Sequence, residues 1–191
     1  MADLKELNGL EVEYIARILK INNYQKRIKG NFPKFTKIWQ VEKLEKAQME
    51  WLENIAISNN ISIEHLELKY PVSKVDSSIV LPNNCWLIVH SGSEEELLDL
   101  YEYARDIANL ENTRPNYVVI GQITRPSFLP KNIEYYSIYP VTSLLEKATR
   151  VISGAGFNII KQMKNNRNKH IVIPFERALD NQSLRLELNF I

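Results

Sequence analysis

Short uninterrupted apolar runs constrain this chain more than any other feature. Cys85-Trp86-Leu87-Ile88-Val89, Tyr117-Val118-Val119-Ile120 and Ile171-Val172-Ile173 stay apolar without the alternation of a half-wet strand. The first two read as strands buried on both faces, as in parallel sheets with helices on either side, and the third as a last strand. Between the runs the spacing is helical. Leu97, Leu98, Leu100, Tyr101, Ala104 and Ile107 line one face of a helix, with Ser93 at its N-cap and Glu96 completing a capping box. Further strands are expected over 134–139, stopped by Pro140, and over 150–152; Pro174 stops the run at 171–173. Further helices are expected over 143–149, 157–163 and 181–189. Parallel neighbours need crossover connections. The alternation therefore predicts an α/β fold, with a Rossmann-like parallel sheet flanked by helices over residues 81–191.

Residues 1–80 read differently. Val41, Leu44, Met49, Trp51, Leu52, Ile55 and Ala56 recur at helical spacing over 41–57, and Asn59-Asn60 suits a left-handed helix end. Residues 65–70 alternate like a half-buried strand before Pro71. The segment is expected to be a mostly helical N-terminal extension. From 17 to 37 it carries Arg17, Lys20, Lys26, Arg27, Lys29, Lys34 and Lys37 with no acid, interleaved with Tyr24, Phe32 and Phe35, and with Trp39 just beyond. Such mixtures bind anionic headgroups or nucleic acid. A solvated helix face and loop has the same composition and is the simpler reading.

The 191 residues are enough for one core with an appendage. The net charge of +1 offers no general attraction for nucleic acid, which is not expected as a partner. Cys85 is the single cysteine and sits in an apolar run, so there is no disulfide framework or thiolate metal site. A small buried thiol in a reducing compartment is the expectation. Met1-Ala2-Asp3-Leu4-Lys5-Glu6 has acids and no apolar core, unlike a secretory signal. No run approaches the roughly 20 apolar residues of a membrane span. A cytoplasmic protein is expected, and any membrane contact would be peripheral.

Ligands of open parallel sheets bind beyond the carboxyl ends of the strands. Three segments there stand out. His90-Ser91-Gly92-Ser93 follows the run at 85–89 and leads into a helix, where backbone amides meet anions. A capped strand-to-helix turn reads the same way, and Glu94, Glu95 and Glu96 suit the helix dipole while opposing a phosphate. Ser153-Gly154-Ala155-Gly156-Phe157-Asn158 has two glycines and an alanine that let a ligand lie on backbone, or let helix and strand pack tightly. After Pro174-Phe175, Glu176, Asp180, Asn181 and Gln182 gather acceptors and amide donors suited to hydroxyl-rich ligands. Asp180 or Asn181 also suits the cap of the last helix. His65, His90 and His170 are far apart, and no metal-ligand spacing is present. Of the three, His90 is the histidine placed for function.

The order of these segments carries a resemblance. Tyr139-Pro140, Leu144-Leu145, Ala148, the run 151–158, then 170–176, Asp180-Asn181-Gln182 and Arg185 together resemble the C-terminal domain of GT-B glycosyltransferases. The nearest group resembles the enzyme adding N-acetylglucosamine to the peptidoglycan lipid intermediate, with relatives among plant galactolipid synthases. The resemblance spans roughly residues 80–191 and is strongest from Tyr139 to Arg185. It implies a nucleotide-sugar donor, with a UDP-sugar favoured, and metal-independent transfer that uses no cofactor. It implies that Ser91, Gly92 and the segment Ser153, Gly154, Ala155, Gly156, Phe157 and Asn158 face the diphosphate. Gln162 would stand where relatives often carry a ribose-binding glutamate. Asn181 and Gln182 would hold the sugar hydroxyls, with Glu176 and Asp180 nearby. Two departures weaken the carry-over: Gln162 binds a ribose diol less strongly than a carboxylate, and Asn181 stands where relatives commonly carry an acid.

In that family the acceptor half holds the general base, so no catalytic residue is assigned within this chain. Residues 1–80 would be a remnant of the acceptor domain and linker. A separate acceptor-binding domain or subunit, or a homo-oligomer, is the implied partner. A non-catalytic nucleotide-sugar-binding protein, or a degenerate half-enzyme, is the alternative. A sugar-nucleotide epimerase ranks third.

Overall fold

The structure is a computed structural model describing residues 10–29, 33–71, 79–121 and 124–189. Phe32 and the segment Met1–Glu6 lie outside the described residues. In chain order the elements are β1 (Val12–Ala16), α1 (Ile21–Ile28), β2 (Phe35–Gln40), α2 (Lys46–Asn59), β3 (Ile63–His65), β4 (Cys85–Val89), α3 (Glu94–Leu110), β5 (Asn116–Ile120), β6 (Glu134–Tyr136), α4 (Thr142–Lys147), β7 (Arg150–Gly154), α5 (Phe157–Gln162), β8 (His170–Ile173) and α6 (Gln182–Asn189). They form two units: Tyr70–Phe175, and residues 1–69 together with 176–191.

The unit of residues 70–175 holds a five-stranded sheet in the order β6-β5-β4-β7-β8, with every neighbouring pair parallel. The central strands are buried because their residues are apolar on both faces. One face of the sheet carries Leu87, Val118 and Val151 against Leu144, Leu145 and Met163 of the α4 and α5 side. The other carries Trp86, Ile88, Val119 and Ile152 against Leu97, Leu100, Tyr101, Ala104 and Ala108 of α3. Of the stripe expected on that helix Leu97, Leu100, Tyr101 and Ala104 are buried, together with Ala108, while Leu98 and Ile107 are only half-buried. β8 is an edge strand, and its Ile171, Val172 and Ile173 are only half-buried. The strand expected over 134–139 ends at Tyr136, and the one expected over 150–152 runs on to Gly154.

The chain moves outward from β4 to β5 and β6, then returns to β7 and β8 on the other side. This reversal makes the gap between β4 and β7 a topological switch point, where the loops leaving the two strands diverge to opposite faces.

The other unit corrects the expectation of a helix-dominated extension by adding a sheet. β1, β2 and β3 are parallel in the order β1-β2-β3, joined by α1 and α2 as a βαβαβ unit. Ala16, Ile18, Ile38, Leu44, Leu52 and Ala56 form its core, with Leu184 and Leu188 of α6 packed against them. The helix expected over 41–57 is α2, which begins only at Lys46 and ends at Asn60 in the left-handed conformation (φ 55°). The strand expected over 65–70 is displaced to β3, at residues 63–65.

The basic and aromatic residues of 17–39 do not form one surface element. Lys26 and Arg27 lie in α1, and Lys37 lies in β2. There Lys37 pairs with Glu64 at 3.0 Å and covers the Trp39 ring at 4.3 Å, while Trp39 Nε1 donates to Glu13 at 2.7 Å. No helix among the described residues is long and apolar enough to cross a membrane.

Candidate functional site

The carboxyl end of β4 continues into His90, whose backbone amide still pairs with Ile120 of β5 at 2.9 Å. This anchors the turn to the sheet. The imidazole is nearly buried, lies 5.4 Å from the Phe175 ring, and its Nε2 stands 2.9 Å from Glu96 Oε2. In the expected capping box the Glu96 amide donates to Ser93 Oγ at 3.4 Å, and the Glu96 carboxylate reaches His90.

The His90–Glu96 pair explains Gly92. A Cβ there would stand 2.3 Å from Glu96 Oε2 and 2.4 Å from His90 Nε2, so only glycine lets the pair close over the turn. Ser91 and Ser93 are exposed at its mouth. Glu95 is held below the usual carboxylate range by hydrogen bonds from its own backbone and from Ser93. The N-terminus of α3 thus has carboxylates facing its dipole.

β7 ends beside β4, with Ser153 in register with Val89. Ser153 and Gly154, expected in the loop, are the last two residues of the strand, and both are buried. Ser153 Oγ donates to the Gly154 carbonyl at 2.9 Å and lies 2.8 Å from His170 Nε2. With the hydroxyl proton used on Gly154, the imidazole supplies the proton of the second bond from Nε2. Burial pushes the His170 ring down to about 4, keeping it neutral. This pair sits within the core, so Ser153 and His170 brace β7 against β8.

The loop proper starts at buried Ala155, whose amide bonds to Ile173 at 3.2 Å, and Gly156 then caps α5. Gly156 has an ordinary φ of −65°, and a Cβ on it would meet only Ile159 Cγ2, at 3.9 Å. Space therefore remains over the backbone. Phe157 is half-buried and Asn158 is exposed in the first turn of α5. Gln162 lies at the other end of α5, where its Oε1 accepts from Thr142 Oγ1 at 3.2 Å.

The remaining candidates belong to the other unit and are held there by interactions of their own. Glu176 is exposed and forms an ion pair with Lys20. Asp180 accepts from Arg185 Nη1 at 3.0 Å and from Nη2 at 2.6 Å. Asn181 is the cap, its Oδ1 accepting from the Leu184 amide at 3.2 Å. Gln182 is buried as the first residue of α6.

The residues that sequence reasoning missed surround Arg185, which is fully buried. Its Nε donates to Glu42 Oε2 at 3.0 Å and its Nη2 to Glu42 Oε1 at 3.2 Å. Glu42 in turn accepts from the Ile18 amide at 2.6 Å. Burial alone would disfavour the guanidinium charge, but the hydrogen bonds that Arg185 donates to Asp180 and Glu42 outweigh it and hold Arg185 above its usual value. Gln48 completes this layer by bonding the Leu19 amide at 3.1 Å and the Arg17 carbonyl at 2.8 Å. One signal for Gln48 was present: Gln48, Leu52 and Ala56 form an i, i+4, i+8 stripe on α2.

Comparison with known proteins returns no matching family model and no matching curated sequence. Solved structures do match in part. The glycotransferase of kitacinnamycin aligns with 67% of this chain at 18% identity and a TM-score of 0.45. The glycosyltransferase SnogD from Streptomyces nogalater aligns with 68% at 13% identity and a TM-score of 0.39. The chain spans 34% and 45% of those two structures.

Proposed function

We propose that residues 70–175 form the nucleotide-sugar-binding part of a GT-B type glycosyltransferase. The observation that carries the reading is the switch point between β4 and β7. The turn 90–93 and the loop 155–158, the latter part of the segment 153–158 that the sequence resemblance sets against a diphosphate, leave the carboxyl ends of these adjacent strands. A diphosphate there would meet the first turn of α5 and the hydroxyls of Ser91 and Ser93, and the open backbone at Gly156 gives it room to approach. A UDP-sugar is the favoured donor. On this reading, backbone dipoles stabilise the departing diphosphate without a metal, and a separate acceptor-binding half supplies the general base. Membership of the peptidoglycan N-acetylglucosaminyltransferase and galactolipid synthase group rests on the sequence resemblance.

Glu94, Glu95 and Glu96 favour a second reading, a nucleotide-sugar-binding protein without transferase activity. Carboxylates at the N-terminus of α3 leave little of its dipole for stabilising a leaving group.

The test is a thermal titration with UDP-, GDP- and TDP-sugars. A ligand at a hundredfold excess over its Kd stabilises the folded state by about 2.7 kcal/mol. Gly156→Val is the informative variant, because the protein has room for its Cβ while a bound ligand does not. A shift with one nucleotide that Gly156→Val abolishes supports the proposal. No shift with any of them, or a shift that Gly156→Val leaves intact, overturns it. Transfer that appears only with an acceptor-binding partner separates the enzyme from the binder.

A further inference from the structure

Among the described residues β1 pairs with β2 alone, leaving one edge of the three-stranded sheet open. The direction of its backbone groups is fixed by its neighbours. The Ala16 carbonyl accepts from Val41 and the Val12 carbonyl from Thr36, so the even-numbered residues turn their polar groups towards β2. Glu13 and Ile15, between them, turn theirs to the open edge. The Ile15 side chain, 53% exposed, stands on the sheet face beside Trp39, so only its backbone belongs to the edge. An edge of this kind is a template for another strand.

The charges around β1 select one occupant. Glu11 precedes the strand and Arg17 follows it, and both are exposed. The midpoint of Val12–Ala16 is Tyr14. An antiparallel copy related by a two-fold axis at Tyr14 places Val12 opposite Ala16 and Glu13 opposite Ile15. In this register Glu11 lies opposite Arg17 at both ends. Shifting the axis to Glu13 would set two glutamates face to face. Shifting it towards Ile15 would draw Ile18 and Leu19 into the pairing, and both are buried in their own unit. The axis at Tyr14 uses the whole strand, satisfies the outward groups of Glu13 and Ile15 in reciprocal hydrogen bonds, and pairs unlike charges twice.

We propose that the open edge of β1 binds a second copy of this chain, antiparallel about a two-fold axis at Tyr14, with Glu11 of each copy facing Arg17 of the other. The inference is independent of any ligand at the switch point. The neighbouring sheet face is not the contact, because Lys37, Trp39, Glu13 and Glu64 already satisfy one another across it.

Sedimentation equilibrium on the full chain tests this. The wild type should dimerise, more weakly as salt rises. Glu11→Arg and Arg17→Glu should each weaken the dimer by about tenfold or more, since each turns two attractive cross-strand pairs into repulsive ones. The double variant E11R/R17E should restore it. Circular dichroism should show all three variants folded, because both positions are exposed. A wild type that stays monomeric up to its solubility limit would overturn the proposal. So would a dimer indifferent to the single variants, or one not restored by the double exchange.

Discussion

Lowering the pH from 7 to 4 drives a proton onto His170, whose ring has no solvent to receive the charge. The ring titrates near 6.5 in an unfolded chain and near 4 in the folded one, because it is buried between β7 and β8. Between these values the unfolded chain binds more protons, so stability is complete above the unfolded value and falls as the pH drops towards 4. A difference of roughly 2.5 pH units corresponds to about 3 kcal/mol. This is a large share of the 5–15 kcal/mol typical of a domain. Native-state hydrogen exchange at the Ala155 amide, corrected for the intrinsic pH dependence, follows the β7–β8 region itself, since that amide bonds to Ile173. The comparison is His170→Gln, which keeps a donor within reach of Ser153 but cannot titrate. The wild type should lose protection steeply between pH 6.5 and 4, and the variant should not. Parallel pH profiles for the two proteins would refute the assignment of this acid sensitivity to His170.

Two further substitutions probe the interiors of the two units. Arg185→Met leaves Glu42 buried with the Ile18 amide as its partner but without its cation, and should cost about 3–5 kcal/mol in urea denaturation; the double change with Glu42→Leu should recover much of that loss. Gly92→Ala drives a methyl into the His90–Glu96 contact and should lower stability by about 1–3 kcal/mol, read as a lower Tm, with the His90 ring resonances displaced in NMR spectra.

The unit of residues 70–175 was legible because its central strands are buried on both faces and its edge strand β8 is still apolar from Ile171 to Ile173. The apolar runs at β4, β5 and β8 mark themselves, and the helix pattern of α3 survives in what it buries. β1 and β2 were not legible. They are covered by helices on one face only, and the other face carries charged Lys37 and Glu13 beside Trp39 and exposed Ile15, a mixture that reads as loop. The placement of 176–191 was out of reach for a different reason. It depends on Arg185 finding Glu42 across 143 positions, and nothing local in either residue signals the other. The candidate loops at 90–93 and 155–158 came from local composition and lie at strand ends, as local signals can indicate. Ser153 also looked like a loop hydroxyl, since no pattern of spacing announces a bond to His170.

The return of α6 to the first unit has a consequence for biosynthesis. Domains generally fold in the order in which they are translated, at about 5–20 residues per second. Here that order reverses. Residues 70–175 are complete while Glu42 still waits for the guanidinium that neutralises it, and the 143 positions that separate the two take roughly 7–30 s to translate. During that interval the nascent first unit carries a carboxylate without its cation and an apolar core without Leu184 and Leu188. The residues that close the first unit are therefore made only after the whole of the second unit.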